Sequence, residues 1–475
     1  MFRYSTIGGH RPAGLLAACL CILLLAGSAA GQIIPGLGPK PLVIENVRVL
    51  NPDGSVTENA ILIVQRGAIE RIGVNLEIPD RANRVDGGDG FVTPGFIDVH
   101  SALGLTASTG GGGPTHRAFD AFNRYALDDL RDAVRHGVTA AYLPARGGGG
   151  VNGVGCVVRF APAPTGSAAG EALIEESALC INLASADSST RRLQTLADVR
   201  QRFKSALEYR ESLEVYEEDL EEYEEKIAER AKAEGDSESD GDEDEKDSAD
   251  DDEEPNPEEE SGSKEGDAKK DEDEIKKPAR PRTDRNAEMM LKAIDGELPV
   301  RIEADRSADI LNALALADEF NLTVVLEGGA EAHLVANEIA DAEVRVVLDP
   351  ERGFGPPAWR TPLADRLASL DDAGVDWRIG AGATDPGRSR FVLLAAQEAA
   401  GAVGTNANDR PDPLRMVTVD AAELLGVSDR VGRLERGRAA DFVIWSAHPL
   451  EADARVQRVY IDGKLVYLDR GASSE

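Results

Sequence analysis

One histidine stands where a strand could present it for chemistry. The run Ile97-Asp98-Val99-His100 predicts a strand that ends in an imidazole, and imidazole is the commonest metal ligand among side chains. Side chains alternate between the two faces of a strand, so the next residue on the face of His100 is Ala102. A metal centre built around His100 therefore needs its other ligands from elsewhere in the chain.

Eight apolar runs in the middle of the chain predict the strands that would position such ligands. They are GFIDVHS, VTAAYLPA, GCVVRFAP, ALCINLAS, LPVRIEAD, LTVVLEGG, VRVVLDP and VDWRIGAGATD. Helical patterns such as SADILNALALADEF separate the later runs. Eight strands with intervening helices predict an α/β fold of the TIM type, a (β/α)8 barrel. In such a barrel the functional residues gather at the carboxyl ends of the strands.

The two ends of the chain share a different pattern. Residues 41–92 carry short alternating apolar runs broken by turn residues such as Gly54, and residues 430–472 repeat this pattern. We predict that the two pieces form one small composite β-sandwich. The barrel then consists of residues 93–210 and 280–429.

Most of the negative charge lies in one segment. The chain has 86 Asp and Glu against 52 Lys and Arg, a net charge of −34, and residues 235–275 hold 22 acidic and 4 basic side chains. Such a tract repels itself and predicts a disordered linker. We place the charged helix and the acidic disordered insertion at residues 211–280. The net charge argues against nucleic acid as a partner.

A long charged helix leads into the acidic tract. Its pattern begins near Leu193, and Tyr209, Tyr216 and Tyr223 recur at a spacing of seven residues. Two interpretations are open. Either one face of the helix rests on the barrel while the rest is solvated, or the tyrosines form a stripe against a partner helix. The sequence leaves the oligomeric state undetermined.

The N-terminus has the features of an export signal. Arg3 precedes a short apolar run that is followed by small residues at Ser28 and Ala30. The run is too short to span a bilayer comfortably, so we predict a signal peptide at residues 1–30. The mature protein would be secreted or periplasmic, with no stable membrane span. A lipidation box ending at Cys19 is the alternative.

Two cysteines, Cys156 and Cys180, remain after removal of that signal. Both lie in strand-like apolar runs. In an oxidising compartment they either form a disulfide or stay as buried small apolar residues. The sequence leaves both alternatives open.

Three motifs resemble those of a known family. VTPGFIDVHS, AAELLGVSDRVGRLERGRAADFVIWSAHPL and VQRVYIDGKLVY are similar to motifs of the amidohydrolase superfamily, in the branch of imidazolonepropionase. The resemblance covers nearly all of the chain except the signal and the segment from about 210 to 280. It implies a metal-dependent TIM-type barrel with a small β-sandwich, in agreement with the strand count.

The resemblance also implies a set of metal ligands. The family has His-x-His on the first strand, often a bridging lysine or glutamate on the fourth, histidines on the fifth and sixth, and an aspartate on the eighth. Here His100 matches the first histidine, and Glu303 and Glu327 stand where the fifth-strand and sixth-strand histidines are expected. Asp385 matches the eighth-strand aspartate. Asp385 would then be both a metal ligand and the general acid/base that passes a proton to the leaving nitrogen.

These four residues fit two arrangements. In a remodelled site, one imidazole and three carboxylates hold a divalent metal, with manganese or magnesium favoured over zinc. In a metal-free site, the carboxylates either face water or pair with neighbouring arginines, namely Arg301, Arg306 or Arg378. His116, in the loop after the first strand, is a reserve ligand.

The sequence therefore supports two functions. The first is an amidohydrolase-like hydrolase that cleaves a C–N bond in a small cyclic amide, an N-acyl amino acid or a dipeptide-like substrate through the remodelled metal site. The second is a catalytically inactive binding or scaffold protein that keeps the barrel, needs no metal at His100 and Asp385, and uses the acidic segment for cations or basic partners. Metal bound at His100 and Asp385 would distinguish the first function from the second.

Overall fold

The computed structural model describes residues 39–105, 112–160, 170–185, 188–237, 276–350, 361–382, 385–403, 411–469 and 471. The predicted signal segment 1–30 and the acidic tract from 238 to 275 lie outside these residues and stay predictions. Among the helices that are described, none is long and apolar enough to cross a membrane.

Fifteen strands and ten α-helices lie within the described residues and are numbered along the chain. The strands are β1 Leu42–Leu50, β2 Val56–Gln65, β3 Ala68–Gly73, β4 Asn83–Pro94, β5 Phe96–Asp98, β6 Val138–Leu143, β7 Gly150–Phe160, β8 Gly170–Asn182, β9 Val300–Ala304, β10 Val324–Gly328, β11 Arg345–Leu348, β12 Trp377–Ile379, β13 Phe442–Trp445, β14 Val456–Ile461 and β15 Lys464–Leu468. The helices are α1 Ala118–Ala121, α2 Leu127–Arg135, α3 Ser189–Ser237, α4 Arg285–Ile294, α5 Ser307–Phe320, α6 Ala336–Asp341, α7 Leu363–Asp372, α8 Val392–Ala402, α9 Pro413–Met416 and α10 Val419–Leu424.

Strands β5 to β12 form one eight-stranded sheet in chain order, and the sheet closes into a barrel. A parallel bridge between Ser101, after β5, and Gly382, after β12, joins the first strand to the last. The strands lie at the eight predicted runs, because these runs are apolar enough to be covered on both faces. The predicted TIM-type barrel is therefore confirmed.

One strand departs from the parallel pattern of the barrel. β7 is antiparallel to both β6 and β8, whereas the other neighbouring strands are parallel. The cause is the connection from β6 to β7, which covers only residues 144–149. A parallel crossover needs about a dozen residues or more, so the chain turns back as a hairpin. The hairpin loop follows the carboxyl end of β6 and thus lies beside the barrel mouth.

The two ends of the chain meet in a second sheet, of seven strands in the order β15-β14-β13-β4-β1-β2-β3. β4 joins the N-terminal strands to the C-terminal ones, since it pairs parallel with β1 and antiparallel with β13. These strands have a small core of their own, in which the Phe442 ring stacks on Tyr460 with 4.6 Å between centroids. The β-sandwich predicted from both chain ends is confirmed.

A buried arginine links the barrel to the β-sandwich. Arg159 of β7 has only 3% of its side chain exposed, and it donates from Nε and Nη2 to the Asp441 carboxylate at 2.9 and 2.6 Å. It also donates to Glu171 at 2.8 Å and to Asp462 at 2.9 Å. Burial raises the pKa of Asp441, and Arg159 opposes that shift. The Ala440-Asp441 motif therefore has a structural role at the junction of the two domains.

The long charged helix is α3. Its first half packs against the barrel with Val199, Phe203 and Ala206 buried, and the Phe203 ring stacks on Phe320 with 4.9 Å between centroids. From residue 211 to residue 232, by contrast, no residue is buried. One face of the first half rests on the body of the protein, while the second half is exposed.

Cys156 and Cys180 are both buried, and neither is in a disulfide. They lie on the adjacent strands β7 and β8, where Cys180 is paired with Gly153. Burial raises the pKa of the Cys180 thiol to about 11, so it stays protonated at neutral pH. The structure thus favours buried small residues over the disulfide and over a reactive thiolate.

Candidate functional site at the barrel mouth

A polar cavity of about 90 Å³ lies at the carboxyl ends of the barrel strands. His100, Asn182, Arg301, Glu303 and Glu327 line it, together with the hairpin loop that follows β6. A larger cavity of about 180 Å³, between the β-sandwich and the barrel, contains none of the predicted site residues. The smaller cavity is therefore the candidate site.

Strand register brings the lining residues together. Asn182 of β8 is paired with Glu303 of β9, and Glu303 is paired with Glu327 of β10. Arg301 lies two residues before Glu303 and so projects on the same face of β9. Asn182 Nδ2 donates to Glu303 Oε2 at 2.8 Å, which fixes the orientation of that carboxylate.

Arg301, Glu327 and His100 form a buried charged cluster. Arg301 Nε lies 2.8 Å from Glu327 Oε1, and His100 Nε2 lies 3.6 Å from Glu327 Oε2. All three side chains have 5% or less of their surface exposed. The Arg301 guanidinium also donates to the Val99 carbonyl at 3.1 Å and lies 3.8 Å from the centre of the Tyr142 ring. The guanidinium thus supplies the positive charge that balances Glu327.

The three arginines considered from the sequence have different partners. Of these three, Arg301 alone lies at the cavity, while Arg306 is 3.8 Å from Asp309 and Arg378 pairs with Asp376. His116 is exposed, and its Nδ1 accepts from the Gly113 backbone at 3.2 Å.

Asp385 lies apart from the other three predicted residues. Strand β12 ends at Ile379, and Asp385 is an exposed residue that precedes the 3₁₀ helix Pro386–Phe391 and accepts from the Gly387 backbone at 2.8 Å. It does not line the cavity. The structure therefore brings together His100, Glu303 and Glu327 but not Asp385.

Glycines stand where the eighth strand approaches His100. A Cβ added at Gly380 would come within 2.7 Å of the His100 Cβ. A Cβ at Gly382, which has a φ of +92°, would meet the Asp349 carboxylate at 2.8 Å. At these two positions the segment after β12 makes room for neighbouring side chains and contributes none of its own.

A second buried carboxylate, Asp98, closes the barrel and was not singled out from the sequence. Asp98 accepts from Ser389 Oγ at 2.5 Å and from the backbone N–H groups of Ala381 and His100, each at 3.1 Å. Ser389 in turn shares a hydrogen bond of 2.6 Å with Ser101. The sequence did contain an indication of this position, since Asp98 lies two residues before His100 and so on the same face of the strand.

Asp98 should make stability depend on pH. Burial raises its pKa from an ordinary 3.8 to about 6, so the folded protein holds this proton more tightly than the unfolded chain. Stability from this group is complete below about pH 4 and is lost as the pH rises through about 6, with a size of about 3 kcal/mol. Urea unfolding at a series of pH values should show this fall in the native protein relative to Asp98→Asn.

The matched control for this prediction is Asp53→Asn. Asp53 is exposed, and its hydrogen bonds with Ser55 lower its pKa, so its removal should not reproduce the effect. Equal pH profiles for the native protein and Asp98→Asn would contradict the prediction.

The residues of the cavity do not fit the divalent metal that the resemblance implies. Among the described residues, no group of three or more His, Cys, Asp or Glu side chains is arranged to hold a metal ion. Structural and catalytic zinc sites use at least three protein ligands. In addition, Glu327 already balances the Arg301 guanidinium, which would repel a second cation beside it.

Comparison with known proteins agrees with the fold and the motifs. The model of the amidohydrolase family matches residues 380–466. The matched segment is under a fifth of the chain and includes the end of the barrel and the C-terminal strands, and it supports the amidohydrolase superfamily. An amidohydrolase from Thermotoga maritima has a similar structure, with a TM-score of 0.66 and 24% identity over 90% of this chain and 100% of that one. At this identity the likeness shows the fold alone.

Curated relatives match this chain only locally. A deacetylase from Brucella anthropi is 25% identical over 123 residues, which are 22% of this chain and 31% of the relative. An imidazolonepropionase from Cupriavidus necator is 63% identical over 35 residues, which are 7% of this chain and 8% of the relative. The chain thus spans less than a third of the length of either relative.

Proposed function

We propose that this amidohydrolase-superfamily protein binds a small polar molecule at the barrel mouth and has no catalytic metal. The observation that carries the proposal is the buried Arg301 guanidinium, 2.8 Å from Glu327 and on the side of the cavity where His100 also lies. A divalent ion about 4 Å from a guanidinium would be opposed by several kcal/mol even at an effective dielectric constant of about 20. The Arg301 guanidinium therefore supplies the positive charge that a metal ion would otherwise supply in this barrel.

The size and lining of the cavity suggest what it recognises. At about 90 Å³ the cavity has room for a few water molecules, so it suits a small polar group of a ligand. Glu303 and Asn182 offer an acceptor and an amide, which suit the N–H and C=O of a small amide or amino acid. Members of the superfamily act on small molecules, and we infer the same class of ligand here.

A second candidate function is C–N bond hydrolysis at a remodelled metal site. The observation that favours it is the approach of His100 Nε2 to Glu327 Oε2, at 3.6 Å, with Glu303 on the same cavity. If Arg301 were displaced, these three groups would be the ligands for zinc, manganese or magnesium. A bound metal would supply an activated water for attack on the amide carbon.

Metal content distinguishes the two candidates. The purified chain would be incubated in turn with zinc, manganese and magnesium, dialysed, and analysed for metal beside His100→Ala. We expect far less than one metal per chain in both proteins. One metal per native chain that is lost in His100→Ala, together with turnover of N-acyl amino acids or dipeptides, would establish the hydrolase and overturn the metal-free proposal.

Ligand binding tests the metal-free proposal directly. Small amides and amino acids would be screened for a rise in the melting temperature of the native chain, because a ligand that binds the folded state stabilises it. Glu303→Gln should lose the shift, whereas Glu338→Gln, on the exposed side of α6, should keep it. A shift that survives in Glu303→Gln would place the binding elsewhere.

We also propose that the protein is exported. The proposal rests on the predicted signal at residues 1–30. N-terminal sequencing of the mature protein tests it, with cleavage after about residue 30 expected.

A further inference from the structure

The second half of α3 forms an arm that leaves the body of the protein. The helix has 49 residues, which at 1.5 Å per residue gives a length of about 70 Å. Arg210 pairs with Asp295 at the end of α4, and the following residues 211–232, the arm, include no buried side chain. A helix that is exposed to solvent on all sides is expected to be polar all round, so apolar residues on the arm call for an explanation.

The arm carries an apolar stripe in a heptad pattern. The stripe consists of Tyr209, Leu213, Tyr216, Leu220, Tyr223 and Ile227. The intervals along it are four, three, four, three and four residues, as in a two-stranded coiled coil with leucine or isoleucine at position a and tyrosine at d. Buried Val199 and Ala206 lie on the same row, at multiples of seven from Leu213. The face that packs on the barrel thus continues past the barrel.

Within the described residues, the stripe beyond Tyr209 has no covering layer. Ile227 is 41% exposed, and the four stripe residues between it and Tyr209 are only partly shielded. Apolar side chains stabilise a structure when they are removed from water, and this row gains that stabilisation only if another helix covers it.

We propose that the arm pairs with the arm of a second copy of this chain, as an antiparallel two-stranded coiled coil. A twofold axis midway between Tyr216 and Leu220 gives six apolar layers. Leu213 of one copy then lies against Tyr223 of the other, Tyr216 against Leu220, and Tyr209 against Ile227. Each tyrosine meets a smaller aliphatic residue in this arrangement, so the stripe is complementary to itself.

Opposite-charge pairs in the flanking positions occur only in the antiparallel arrangement. It brings Arg210 of one copy, which also pairs with Asp295 of its own chain, beside Glu224 of the other, twice in the dimer. Parallel pairing brings Asp219 beside Glu224 and has no opposite-charge pair in the same flanking positions. Burial of the stripe, more than these exposed pairs, provides the stability.

Salt should strengthen the dimer. Residues 211–232 contain 10 acidic and 3 basic side chains, and Glu217 and Asp219 approach their counterparts near the twofold axis. Screening reduces this repulsion. An association held mainly by ion pairs would respond in the opposite way.

Sedimentation equilibrium of the full chain at low and high salt tests the proposal. We expect a monomer–dimer equilibrium that shifts toward the dimer as salt is added. Leu220→Glu should weaken the dimer by about a hundredfold, because it places a carboxylate in two core layers. Val215→Glu is the matched control, since Val215 is 50% exposed and lies off the stripe. A monomer at every concentration, or equal effects of the two substitutions, would overturn the proposal.

Oxidative cross-linking tests the direction of the helices. Tyr216→Cys and Leu220→Cys would be prepared separately, mixed and oxidised. The antiparallel arrangement predicts a disulfide between the two different variants, whereas the parallel arrangement predicts one within each variant alone. Unchanged melting temperatures would show that the barrel is intact, since the arm lies outside it. Cross-linking only between identical variants would overturn the antiparallel arrangement.

Discussion

Arg301→Met is expected to lower the free energy of unfolding by about 3–5 kcal/mol, the usual cost of leaving one partner of a buried ion pair alone. Glu327 and His100 have 5% and 4% of their side chains exposed, so water does not replace the lost guanidinium. The Val99 carbonyl loses a donor, and the Tyr142 ring loses the cation above it. Urea unfolding measures the loss.

Two variants separate this effect from a general packing defect. Arg301→Met combined with Glu327→Gln removes both charges and should recover much of the lost stability, because a buried pair is often replaced without cost by neutral residues of similar size. Arg345→Met is the matched surface control. Arg345 pairs with Asp376 at 3.2 Å with about half of each side chain exposed, so its loss should cost less than about 1 kcal/mol. Similar losses for Arg301→Met and Arg345→Met would show that the cluster does not hold Glu327.

Arg159→Met is expected to cost a similar amount, about 3–5 kcal/mol, and to uncouple the two domains. The Asp441 carboxylate, with 3% of its side chain exposed, would be left without its guanidinium at the domain junction. Differential scanning calorimetry should show a lower melting temperature and two separate transitions, in contrast to the single transition expected of the native chain.

Arg433→Met is the control for the domain junction. Arg433 pairs with Glu423 at 2.8 Å with 25% and 45% of the side chains exposed, and its removal should leave a single transition near the native temperature. A single, unshifted transition for Arg159→Met would mean that the apolar contacts alone hold the domains together.

The barrel strands could be predicted because burial dominates their sequences. Each run is apolar enough to be covered on both faces. This pattern can be recognised in a single run, without knowing which strands lie beside it. The direction of β7 needed one more fact. Only the exact end of β6 at Leu143 and start of β7 at Gly150 show that the connection is too short for a crossover helix.

The site could be predicted only in part, because it depends on register and on where strands stop. Glu303 and Glu327 were singled out because they stand where the family resemblance expects the fifth-strand and sixth-strand histidines, and the cavity contains both. Asp385 was assigned to a strand end, but β12 stops six residues earlier. Arg301 was one of three arginines with the right chemistry. The pairing of Arg301 with Val325 across β9 and β10 is what places its side chain beside Glu327, and no local pattern contains that information.

The pairing of β4 with β13 has a consequence for the way the protein is made. Thr93 of β4 receives a hydrogen bond of 3.0 Å from Trp445, 352 residues later in the chain. Strands β1 to β4 are therefore synthesised early. The edge of β4 that pairs with β13 stays unpaired until almost the whole chain has been synthesised. An unpaired edge is a template for aggregation, so a chain interrupted before β13 should be insoluble even when its barrel residues are complete. Export of an unfolded chain would delay this pairing until the C-terminus arrives in the same compartment.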